Sequence, residues 1–220
     1  VKSISIGLTV AGIILSTLHQ GALGALFTYA PTKVHPLWFS ANFQWIHFFC
    51  SAIFAGLSMV ICSAALCKTY LVWRCDDRFL DNVDRNTLAL GKGCAYALIT
   101  YLVIKMVGIA HDQDWAHLLT GWGQYFLLEM AVAVVLPMIL FAYGVKHQLG
   151  GMVGWAALIS VLGIVWNRLN TAMICFNWRM YQEIPHWKEV WVTVTIFALY
   201  FIVYRFILYR LPILYEWQGE

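Results

Sequence analysis

Charge is the first thing this sequence is short of. Asp, Glu, Lys and Arg make up 11% of its 220 residues, against roughly a quarter in a typical soluble domain. What charge there is sums to +3 and lies scattered through short segments. No basic stripe forms, so a nucleic-acid partner is excluded. Its six cysteines show no CxxC pair and no histidine at metal-ligand spacing, so neither an iron–sulfur cluster nor a zinc site is encoded. Those in apolar runs act as small hydrophobes. No internal repeat is visible. The opening VKSISIG lacks a signal-peptide n-region and runs straight into an apolar stretch. This leads to the expectation that part of the natural protein precedes it.

What is abundant is hydrocarbon. Hydrophobic residues reach 61%, more than one core of this size can hide, so lipid is the solvent for much of the surface. Eleven Trp, eleven Tyr and thirteen Phe suit aromatic belts at two membrane interfaces. A helix crosses a bilayer core with about 20 apolar residues, and runs of that length fall near 4–28, 43–67, 89–110, 122–145, 152–174 and 189–212. The expected fold class is therefore all-α, a polytopic transmembrane helix bundle of six spans forming one domain. Six spans place the connections alternately on two sides. One side holds Lys2, Lys68, Arg74, Arg78, Arg85, Lys92, Lys146 and Arg210, and the other only Lys33, Arg179 and Lys188. The positive-inside rule makes the first side cytoplasmic, together with both ends of the chain.

Inside the expected spans stand His19, Gln20, Lys105, Glu129, Asn167, Arg168, Asn170 and Arg205. A polar side chain in hydrocarbon costs several kcal/mol without a partner, and an unpaired charge costs more. Lys105, Glu129 and Arg168 share the outer half of the membrane, which points to one buried cluster with opposite charges paired. Snorkelling to the interface is the alternative for Lys105 and Arg168 and the expected fate of Arg205. Glu129 lies too deep to snorkel. For His19 a structural hydrogen bond competes with a functional role. A bis-histidine haem would need a facing intramembrane histidine, and His47 is the one available, so a haem is not expected. Gly21 with Gly24, and Ala52 with Gly56, are spaced for close helix contact. Pro137 is expected to kink the fourth span and open the bundle near Glu129.

The segment STLHQGALGALF followed by KVHPLW resembles the membrane subunits of the NrfD/HybB-like, or polysulfide-reductase membrane-subunit, family. SAIFAGLSMV, Lys105, Glu129 with Pro137, RLNTAMICFN, PHWKE and RLPIL extend the likeness over the whole chain, nearest to the hydrogenase-type HybB branch. The resemblance implies the last six of ten spans in the prokaryotic cytoplasmic membrane. It implies a subunit that binds no cofactor itself and takes a quinone, of the menaquinone kind, as substrate near the outer face. The implied partner is a ferredoxin-like subunit with [4Fe–4S] clusters. With it would come a periplasmic hydrogenase, a multihaem cytochrome c or a molybdenum enzyme. The family's main quinone pocket would lie mostly in the absent first bundle, with His19 and Gln20 near it.

The reading that follows is an integral membrane subunit of a respiratory redox complex, exchanging electrons between an iron–sulfur partner and the quinone pool, with proton movement in some relatives. Quinone or proton-path candidates are His19, Gln20, Lys105, Glu129 and Arg168. Partner-interface candidates are His35, Pro36, Trp38, Asn177 and Trp178. No catalytic residue and no metal ligand is named. Two rivals stay open: a secondary transporter of ions or small anions, and a purely structural anchor.

Overall fold

Hydrocarbon offers no partner to a backbone N–H or C=O, so apolar runs of this length must fold as helices that satisfy themselves. The computed structural model describes residues 2–29, 34–70, 72–75, 77–177 and 187–210. It contains α1 (Lys2–Leu26), α2 (Gln44–Tyr70), α3 (Asp77–Asp112), α4 (Gly121–Met130), α5 (Leu136–Lys146), α6 (Gly150–Asn177) and α7 (Trp187–Arg210). Between α4 and α5 the chain stays helical through a π-turn, Ala131–Val135, making one continuous rod. Six helices are long and apolar enough to cross a membrane. No strand occurs among the described residues.

The third helix differs from its expectation, starting at Asp77 rather than near residue 89. Its added turns are amphipathic: Val83 and Thr87 are buried, while Asp84 stays exposed and accepts two short bonds from Lys68 Nζ at 2.6 and 2.8 Å. A stretch that reads as a charged loop is thus a helix with one wet face.

Around α2 sit α1, α3 and α6, while the α4–α5 rod packs on α3 and α6. Two glycines mark close backbone approaches between helices. A Cβ on Gly24 would lie 2.9 Å from both the Gln44 carbonyl oxygen and the Trp45 Cα, which seats α1 on the start of α2. A Cβ on Gly163 would lie 2.7 Å from Ala133 Cβ, so α6 touches the π-turn directly. Gly21 and Gly56, expected at similar contacts, have nothing within 4 Å of a built Cβ. They face away from the packed side of their helices.

Where a kink was expected at Pro137, the span carries the π-turn. Leu136 N–H reaches back five residues to the Ala131 carbonyl, directly before the proline that lacks an N–H of its own. Toward the Lys68 end the interior is mostly apolar, with Ile61, Leu98, Phe141 and Val153 fully buried. Toward the His35 end it is polar. The outer helices differ: α7 exposes nearly every described side chain, and α1 nearly as many.

Candidate functional site

The polar half of the bundle is organised around Glu129 on α4, which is 1% exposed. Three neutral N–H donors converge on its carboxyl. Trp38 Nε1 donates to Oε2 at 2.9 Å, Asn170 Nδ2 to Oε2 at 2.7 Å, and Asn167 Nδ2 to Oε1 at 2.5 Å. Asn167 and Asn170, three apart on α6, present one polar face toward α4. A second layer steadies them: Tyr125 Oη donates to Asn170 Oδ1 at 3.0 Å, and Trp166 Nε1 donates to Tyr125 Oη at 2.8 Å.

Trp38 comes from outside the helices. It closes a short 3₁₀ turn, Pro36–Trp38, whose first N–H is capped by His35, with Leu37 N–H donating to Nδ1 at 3.2 Å. Proline at the first position of that turn fixes its φ. The Trp38 ring stands edge-on to His35 at 5.1 Å and to Phe126 at 5.2 Å. Burial, then the charge of His117, lowers the His35 pKa from 6.5 to about 4. The imidazole therefore stays neutral and keeps Nδ1 as an acceptor. Burial also raises the Asp114 carboxyl, on the neighbouring 3₁₀ turn Asp114–Leu119.

The two cations lie beside this network on aromatic faces. Lys105, 5% exposed, places Nζ 5.5 Å from the Phe126 ring centre. Arg168 sets its guanidinium 3.9 Å from the Phe48 ring centre and donates from Nη2 to Ser51 Oγ at 2.6 Å. Both turn inward, so the snorkelling alternative does not describe them. The opposite charges share a cluster, yet the carboxyl is held by neutral donors and Arg168 by Ser51 and Phe48.

Small cavities thread the cluster. One, of about 10 Å³, is lined by Glu129, Asn167, Ser51, Tyr101 and the π-turn residues Ala133 and Val134. A second, also about 10 Å³, shares Ser51, Tyr101 and Asn167 and adds Trp38, His47, Lys105 and Arg168. Each is close to the volume that one water needs, about 10–15 Å³. The arrangement suits movement of protons among polar groups and water. It has no room for a larger molecule.

Of the expected site residues, Lys105, Glu129 and Arg168 come together. His19 and Gln20 do not join them: on α1, His19 is exposed and Gln20 half-buried. α1 packs one face on α2, and His19 lies off that face. His35 and Trp38, expected at a partner surface, are 1% and 3% exposed and turn into their own chain. Pro36 is half-buried, Asn177 closes α6, and Trp178 lies outside the described residues. Missed by sequence reasoning were Trp38 as a donor to Glu129, and Tyr125, Ser51, Tyr101 and His47. The Asn167–Asn170 spacing was the one available signal; nothing local marks a tryptophan far away in sequence as a carboxyl partner.

Comparisons with known proteins add two relatives. The chain is 41% identical over 219 residues to a protein of Nitratidesulfovibrio vulgaris (strain Hildenborough), covering 98% of this chain and 56% of that protein. It is 25% identical over 207 residues to a probable Ni/Fe-hydrogenase 2 b-type cytochrome subunit of Escherichia coli K12, covering 92% of this chain and 51% of the relative. The chain thus spans about half the length of these relatives. No protein-family model matches, and no solved structure matches.

Proposed function

We propose that this chain is part of an integral membrane subunit of a redox complex, one that exchanges electrons between an iron–sulfur partner and a membrane quinone. The observation that carries the reading is the match to the probable Ni/Fe-hydrogenase 2 b-type cytochrome subunit over 92% of the chain. The six apolar helices and the buried Glu129 network are what such a subunit needs. The finer placement, with the NrfD/HybB-like family as the branch and these helices as its last six spans, rests on the resemblance given above. So do menaquinone as substrate, a ferredoxin-like [4Fe–4S] partner and a hydrogenase as the outer enzyme. The His35 end is the outer side and the Lys68 end the cytoplasmic side, following the excess of Lys and Arg there.

The relative's name speaks of a b-type cytochrome, and the residues here do not fit a b-type haem. Of the described histidines within the spans, His19 is exposed on α1, His111 is exposed at the end of α3 and bonded to Asp112, and His47 is walled by Tyr101 and Lys105 beside a cavity of about 10 Å³. A porphyrin has no place there, and no step is routed through one.

Quinone chemistry moves two protons with each pair of electrons, and those protons must cross a region of low dielectric. Glu129 is the titratable group in the cluster's centre, and Asn167, Asn170 and Trp38 hold it in place. Lys105 and Arg168 supply positive charge in the same cluster. His19 lies on the open face of α1. An ionisable side chain in mid-span calls for polar company from outside these helices, and we assign it to the quinone side of the complex. The test is quinone-dependent turnover of the intact complex carrying Glu129→Gln. The relay role requires a drop of about 100-fold with assembly unchanged; wild-type turnover removes that role. The π-turn after Glu129 is the one observation that suits a transporter, whose helices are often interrupted.

A further inference from the structure

His47 on α2 is 4% exposed, and neither of its ring nitrogens meets hydrogen-bond geometry with a protein atom. The Ile104 carbonyl lies near the ring but falls outside that geometry. A buried imidazole whose nearest backbone acceptor is poorly aligned is costly, so its position calls for an explanation.

That position is a neck. On one side His47 lines the water-sized cavity that leads by Ser51, Tyr101 and Asn167 to Glu129. On the other it lines a cleft with Lys105, Ser40, Gly108, Asp112 and Asp114 that leaves no room for a water. Ser40 Oγ donates to Asp112 Oδ2 at 2.6 Å, and Asp112 is the last residue of α3, at the His35 end. Gly108 keeps the neck from filling. A Cβ there would stand 3.3 Å from Ser40 Oγ and 3.6 Å from His47 Cε1. Beyond Glu129, toward the Lys68 end, Phe54, Met130 and Val134 wall the cavity, and Ile61, Leu98 and Phe141 fill the interior. Among the described residues the buried hydroxyls of Ser58 and Ser160 also lie on that side, but the charged and titratable groups gather at the His35 end.

We propose that His47 is the group that carries protons between Glu129 and the Asp112–Asp114 end, across a segment too narrow for water. This rests on the reading of Glu129 as a relay and adds its exit. The imidazole accepts a proton at one ring nitrogen from the cavity water and gives up the proton on the other nitrogen toward Ser40 and Asp112. It ends neutral, and one proton has moved. A turn of the ring resets it, and the step runs equally well in reverse. The charged and titratable groups around His47 are Tyr101, Lys105 and Asp112 on α3, Arg168 on α6, Asp114 on the adjoining turn, and Glu129 one cavity away.

The test uses the intact complex in proteoliposomes, with quinone-dependent turnover measured in water and in deuterated water. His47→Gln keeps a polar side chain but cannot titrate, and Gly108→Val fills the neck without replacing a titratable group. Expected for both is turnover reduced about tenfold or more, assembly unchanged, and a solvent isotope effect larger than in the wild type. His47→Gln at the wild-type rate overturns the proposal, and so does a slowed rate with an unchanged isotope effect, which a merely structural role would give. Glu129→Gln separates the two readings. If it is slow while both neck variants are fast, the exit through His47 is wrong and the relay stands. If it too runs at the wild-type rate, the relay and its exit fall together.

Discussion

Glu129 shows how a carboxyl is kept inside a membrane without a salt bridge carrying it. Each of its three donors is neutral, and each belongs to a group that is itself anchored, Asn170 by Tyr125 and Trp38 by the His35-capped turn. Replacing the carboxyl by an apolar group would strand those donors, and a buried donor without a partner costs about 1–3 kcal/mol. Glu129→Leu is therefore expected to lower the melting temperature of the detergent-solubilised protein more than Asn170→Leu, which strands fewer groups. His35 gives a pH dependence whose sign is fixed. Its pKa lies lower in the fold, about 4, than the ordinary 6.5, so on acidification the unfolded chain takes up the proton first. The stability it supports is complete above 6.5 and is lost as pH falls toward about 4. Melting should thus drop between about pH 7 and about pH 5, and by less in His35→Asn, whose side chain caps without titrating in that range. Glu129, Lys105 and Arg168 were legible in the sequence because a charge in an apolar run is conspicuous. Trp38 and His47 were not, since a tryptophan or histidine at a helix end has many ordinary reasons to be there.

At the scale of elements, the spans follow from length and hydropathy, because lipid leaves an apolar run no choice but a helix. The start of α3 does not follow, since a charged stretch reads alike as loop or as amphipathic helix until α2 is present to cover one face. Small-residue pairs were equally ambiguous. Gly24 and Gly163 mark backbone contacts while Gly21 and Gly56 mark none, and spacing alone cannot tell them apart. The distinction is testable. Gly24→Leu meets Gln44 and Trp45 backbone and should detach α1 from α2, read as faster protease cleavage between them. Gly56→Leu, with open space around it, should leave cleavage and melting unchanged. Gly163→Val presses on Ala133 and should disturb the π-turn that follows Glu129, lowering turnover without removing any polar group.

For the molecule as a whole, the interior divides into a polar half at the His35 end and an apolar half at the Lys68 end. The exposed faces of α1 and α7 leave much apolar surface for lipid or for other helices of a complex to cover. The orientation drawn from charge predicts that a cysteine placed at Lys92 is labelled only from the cytoplasmic side; labelling from outside would invert it. The central claim, a quinone-exchanging subunit of a redox complex, is tested most directly by purifying the protein from its native membrane in mild detergent. Subunit mass spectrometry with optical and EPR spectra then gives the answer. Partner subunits with reducible iron–sulfur signals are the predicted result, and a lone colourless membrane protein would contradict it.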